Sequence, residues 1–134
     1  MTEHYQPILE PVQLRSLVRD WGEELIVADT PQYLGKVLRM RAGTAGNLQY
    51  HRKKDETFFL WSGTAQIWFD AGQGLCSVPM FPGQSYHVPP GAVHRVVAVT
   101  DCVFFETSTP HQDDRVRMEA WYGEPETGGL PSTR

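Results

Sequence analysis

Gln49, His51 and Glu56 stand close together just ahead of the apolar run TFFLWSG. An amide oxygen, an imidazole and a carboxylate are donor types that bind a divalent cation or move a proton. In a strand, residues two apart point to the same side, so Gln49 and His51 share a face of the short strand LQYH. The turn RKKD then reverses the chain, and Glu56 opens the next strand beside His51, pointing the same way. Three potential ligands thereby converge. A second stretch, GQSYHVPPGAVHRVVA over residues 83–98, holds a Pro-Pro-Gly turn that redirects the chain into a strand starting near His94. If that strand faces the same cavity, His94 is a fourth donor.

Other side chains have weaker claims. Lys53 has the parity of Gln49 and His51, so it would overhang the cavity and could bind a phosphate or carboxylate. Lys54 reads as a solvated turn residue. Lys36 sits on the Leu34/Leu38 side of its strand, and a lysine among inward-facing apolar residues needs a partner. His87, ahead of the Pro-Pro-Gly turn, either lines the same pocket or points outward. Lys53, Lys36 and His87 are the candidate catalytic groups. Arg95, next to His94, should point away from the site. His4 and His111 lie in weakly patterned segments and are expected to be exposed. The aromatic residues of the strands read as packing residues.

The elements that must position these groups are short strands. From residue 33 onward YLGKVLRM alternates with period two, and LQYH, ETFFLWS, TAQIWFD, LCSVPM, SYHV, HRVVAVT and CVFFETST follow between turn signals. DDRVRMEAWYG fits a strand or a short helix, and PVQLRSLV fits a helical turn loosely. Eight or nine strands with turns every eight to twelve residues make an all-β sandwich or barrel. The 134 residues suit one domain, read as an N-terminal arm over 1–30, the barrel over 31–123 and a tail over 124–134.

Composition excludes several classes. Hydrophobic residues make up 40% and charged residues 21%, an ordinary globular mixture, and the formal net charge of -4 argues against nucleic acid as a partner. No apolar run approaches the ~18 residues of a membrane span, and the N-terminus lacks the pattern of a signal peptide. Cys76 and Cys102 form no CxxC pair and are expected to be core or half-buried thiols, which points to a reducing cytoplasm.

The two motifs carry a resemblance. Gly43, five residues, Gln49-x-His51, four residues, Glu56, six residues, Gly63 resembles the first motif of the cupin superfamily, with Gln49 in place of its first histidine. Gly83, five residues, Pro89-x-Gly91, two residues, His94 resembles the second, departing at its last position, where Ala98 replaces asparagine. LQYHRKKDETFFLWSGTAQI, with DWGEELIVADT and YLGKVLRM before it and HRVVAVTDCVFFETSTPHQDDRVRMEAWYG after it, looks like the mannose-6-phosphate isomerase type of cupin over residues 18–123. A lone cupin is expected, without the helical domains of the large isomerase or a nucleotidyltransferase domain.

The resemblance implies a double-stranded β-helix, or jelly-roll barrel, around one divalent metal held by Gln49, His51, Glu56 and His94. Two imidazoles, one carboxylate and one amide oxygen suit zinc, manganese, iron, nickel or cobalt better than calcium or magnesium. The expected activity is an isomerase or epimerase of a sugar or sugar phosphate, acting through a metal-stabilised enediolate on a small polyhydroxylated substrate. The alternatives are an iron-dependent dioxygenase and a non-catalytic metal- or sugar-binding module. A homodimer is the expected assembly.

Overall fold

The computed structural model describes residues 7–126. His4 lies outside them, as do residues 127–134 of the expected tail. Among the described residues eleven strands form two antiparallel sheets that face each other as a jelly-roll barrel, and one short helix follows the last strand. The strands are β1 (Arg15–Arg19), β2 (Gly22–Asp29), β3 (Leu34–Met40), β4 (Gln49–His51), β5 (Glu56–Ser62), β6 (Ala65–Asp70), β7 (Leu75–Met80), β8 (Ser85–Val88), β9 (His94–Ala98), β10 (Cys102–Ser108) and β11 (Arg115–Arg117); helix α1 is Glu119–Tyr122. The six-stranded sheet has the order β1-β2-β3-β10-β5-β8, and the five-stranded sheet the order β11-β4-β9-β6-β7.

The inward faces follow the alternation of the sequence. On β5, Glu56, Phe58 and Leu60 are buried; on β10, Cys102, Phe104, Glu106 and Ser108 are. Leu60 and Phe104 of the larger sheet pack with Ala65, Ile67, Met80 and Ala98 of the smaller one. Each large apolar side chain buried in this way contributes about 1.5–3 kcal/mol relative to exposure.

Three expectations change. PVQLRSLV does not begin a helix: β1 and β2 are an antiparallel hairpin, and β2 pairs with β3, so residues 15–29 extend the larger sheet. Gly22 permits this with φ of 152°, and a Cβ there would collide with the carbonyl oxygen of Arg39. The 115–122 segment is both a strand and a short helix. Cys102 is buried, but Cys76 is exposed, because β7 is the edge strand of its sheet. No helix among the described residues is long and apolar enough to cross a membrane.

Candidate metal centre

β4 and β9 are neighbours, and Gln49 is the cross-strand partner of His94. That pairing, with Glu56 at the start of β5 on the opposite sheet, brings the two motifs together. The ligand atoms of His51, Glu56 and His94 lie within 4.8 Å of one another, and all three residues are buried. Glu56 Oε2 is 3.3 Å from His51 Nε2 and 3.2 Å from His94 Nε2.

Each imidazole is aimed by its other nitrogen. His51 Nδ1 donates to Asp114 Oδ1 at 2.9 Å, and His94 Nδ1 donates to the carbonyl oxygen of Ala92 at 3.0 Å. A carbonyl can only accept, so the proton of His94 is fixed on Nδ1 and Nε2 is turned to the site. Burial pushes the Glu56 carboxyl up, but hydrogen bonds from both histidines and the charge of Lys54 hold it well below the usual carboxylate range. Burial pushes His94 down, and the Glu56 carboxylate outweighs it and raises the imidazole.

Gln49 stands beside this group, opposite His94. Its Oε1 is buried without a hydrogen-bond partner, and the residue lines the same cavity as Glu56 and the two histidines. A buried amide oxygen left unmade costs about 1–3 kcal/mol. Two imidazole nitrogens and a carboxylate oxygen therefore fit a divalent cation, with the outer ring nitrogens held by Asp114 and Ala92 and the Gln49 amide on the wall of the same cavity. The cavity measures about 120 Å³. That is small beside the roughly 300–1,000 Å³ of drug-sized pockets, so it takes a small molecule or one end of a larger one.

The candidate catalytic groups separate. Lys36 lines the cavity, buried, with Nζ 2.5 Å from Glu24 Oε1. Lys53 is exposed; its backbone N–H, not its ammonium, is engaged, donating to Asp114 Oδ2 at 2.7 Å. His87 faces outward, its side chain 61% exposed and 2.6 Å from Asp55. Lys54, expected in a solvated turn, is the lysine that enters the cavity, because Asp114 Oδ2 also accepts its backbone N–H and tucks the turn inward. Its Nζ meets Glu106 Oε2 at 2.7 Å and Glu56 Oε1 at 3.4 Å. These carboxylates outweigh burial and raise the Lys54 pKa, so the ammonium stays charged. His111, exposed as expected, stands on the cavity rim. Arg95 points away from the site, as expected, and is buried against Gly46 O and Glu119.

Glu106, Asp114 and Arg115 also line the cavity, and the motifs did not indicate them. Asp114 lies 63 residues from the histidine it holds. Glu106 had a weak signal, a carboxylate among the inward-facing residues of β10.

Comparison with known proteins agrees with this fold. The family model "Cupin domain" matches residues 36–108. The mannose-1-phosphate guanylyltransferases of Escherichia coli and Klebsiella pneumoniae are 28% and 25% identical over 81% of the chain. The chain spans only 23% of the length of these curated relatives. Among solved structures, KdgF from Halomonas sp. superposes with a TM-score of 0.61 at 22% identity, covering 69% of this chain and 81% of that one. Capsular polysaccharide assembling protein CapF from Staphylococcus aureus gives 0.71 at 20% identity, over 79% of this chain and 32% of its own. Lactobacillus farciminis oxalate decarboxylase gives 0.72 at 17%, over 89% of this chain and 39% of its own. At such identities these structures speak for the fold alone. With both motifs in place, the barrel formed and the family model spanning more than half of the sequence, the chain belongs to the cupin family.

Proposed function

We propose that the chain is a divalent-metal cupin acting on a small polyhydroxylated molecule, as an isomerase or epimerase of a sugar or sugar phosphate. The observation that carries the metal is the convergence of His51, Glu56 and His94, whose ligand atoms lie within 4.8 Å of one another on a cavity that the buried, unpartnered Gln49 oxygen also lines. The sugar class rests on a small cavity that carries many polar and charged side chains on its walls and on the two curated relatives whose names specify mannose 1-phosphate.

A bound cation would supply a positive centre for a carbonyl oxygen and its neighbouring hydroxyl. The chain's own residues do the rest. Asp114 and the Ala92 carbonyl hold the imidazoles. Phe58 and Phe104, packed edge to face with ring centroids 6.5 Å apart, wall the cavity and exclude water. Of the three candidate catalytic groups only Lys36 lines the cavity, and it is paired with Glu24; the proton-accepting role falls instead to the Glu106 carboxylate on the cavity wall, with the charged Lys54 between it and Glu56. A homodimer would bury the outer face of the larger sheet, where Phe59, Trp61 and Phe105 stack. A reducing cytoplasm suits the two free thiols.

The test is elemental analysis of purified protein beside the His51→Ala/His94→Ala double variant. It is followed by NMR in deuterated water with a panel of sugar phosphates. Near-stoichiometric zinc or manganese that the variant lacks, with deuterium entering the carbon beside a carbonyl, is the expected result. Equal metal in both proteins would sink the metal reading. Iron together with oxygen consumption would replace the isomerase by a dioxygenase. Sugar binding without proton exchange would leave a binding module.

A further inference from the structure

Three lysine or arginine side chains line the cavity: Lys36, Lys54 and Arg115. Two of them are matched, Lys36 by Glu24 and Lys54 by Glu106 and Glu56. Arg115 makes no ion pair and no side-chain hydrogen bond among the described residues, and its Nε is buried without a partner. The residue is half-buried on β11, where it is the cross-strand partner of His51. Paired positions on adjacent strands project from the same face of a sheet, so the guanidinium shares the inner face with the imidazole. Burial pushes the Arg115 pKa down; Asp113 and Glu24 act upward, while Arg19 and Arg117 add to the lowering.

A guanidinium in such surroundings is costly unless an anion meets it. Its planar fork matches the two oxygens of a carboxylate or phosphate, a geometry a lysine cannot offer. An internal carboxylate would serve equally well, as it does for Lys36 and Lys54, yet none lies within ion-pair distance among the described residues.

We propose that Arg115 is the anion anchor of the cavity. It binds the carboxylate or phosphate of a small ligand whose other oxygens face the His51–Glu56–His94 group. The second half of this statement rests on the metal reading above; the first does not. It makes the ligand an acidic sugar derivative, a uronate or a sugar phosphate, rather than a neutral polyol.

The experiment is calorimetric titration of mannose 6-phosphate, glucuronate and neutral mannose into cobalt-loaded and metal-free protein. Wild type is compared with Arg115→Gln, Arg115→Lys and Arg39→Gln, the last a charge control on the outer face, where Arg39 is exposed and paired with Glu23. One of the two anionic sugars is expected to bind wild type about tenfold or more tighter than mannose, the size of one charge-assisted contact. Which of them binds identifies the source of the anion. Arg115→Gln should abolish that preference while binding cobalt as wild type does, and Arg39→Gln should change nothing. Preference retained in Arg115→Gln, or no preference in wild type, overturns the anchor and leaves the metal reading standing. Failure of wild type to take up cobalt overturns the metal reading, and the metal-free arm still decides on Arg115. Should Arg115→Gln not fold, Arg115→Lys decides: it should weaken the anionic sugar several-fold, and unchanged affinity would refute the anchor.

Discussion

The two walls of the cavity are built on different principles. The smaller sheet offers Gln49 and two imidazoles, His51 held by Asp114 and His94 by the Ala92 carbonyl, together with Arg115. The larger sheet offers Glu24, Lys36, Glu56 and Glu106, with Lys54 reaching in from the turn before β5, and these charges mostly neutralise one another. The larger wall is nearly complete in itself. The smaller wall has lone pairs and a cation without partners, so it is completed by what binds. A candidate site is therefore better recognised by what is unmatched than by how many charged groups it gathers.

The largest expected effect breaks the self-sufficient wall. Glu106→Leu strands Lys54 in the cavity with only the longer contact to Glu56, and should cost about 3–5 kcal/mol in urea unfolding. Replacing both partners, Lys54→Met with Glu106→Leu, should restore most of that stability. If the single change is as mild as the double one, the larger wall is not held by its internal pairing.

A smaller effect tests the other wall. Asp114→Asn keeps the shape but loses the charge that aims His51 and accepts the turn's two N–H groups. Cobalt affinity should fall about ten- to a hundredfold, with a shifted visible spectrum at saturation. Unchanged affinity would mean that the imidazole is positioned by its strand alone.

The smallest effect is a pH dependence. Burial pushes the Glu24 carboxyl up, but Lys36 and Arg19 outweigh it and hold the pKa below its ordinary 4.5. A depressed carboxylate contributes stability that is present above the unfolded pKa and lost as pH falls through the folded value. Wild type should therefore lose urea resistance below about pH 4.5, and Glu24→Gln/Lys36→Met should lose less over the same range. Parallel acid profiles would remove Glu24 from the account.

Much of this was legible in the sequence, for specific reasons. Gln49, His51, Glu56 and His94 could be found because strands impose period two and because glycine and proline mark where each strand begins. Lys53 and Lys54 could not be sorted in the same way. Parity does not survive a turn, and here the turn is folded inward by Asp114, far along the chain. Lys36 was legible as an inward-facing lysine, and its partner Glu24 was not, because the first strands carried too irregular a pattern to be separated from a helical turn. Arg115 sits on a three-residue strand whose register with His51 exists only once the barrel has closed.

His94 and Arg95 stand side by side on β9, one turned to the cavity, the other outward. Arg95 is buried between the Trp68 ring, 6.0 Å from its guanidinium carbon, and the Glu119 carboxylate, whose Oε2 also accepts the backbone N–H of Leu48. A one-residue slip of β9 during folding would send the imidazole out beneath α1 and bring the guanidinium into the cavity. Both exchanges are chemically wrong at once, so the adjacent pair works as a spelling check on the chain: the same dipeptide that delivers a metal donor also makes the misaligned barrel unable to close.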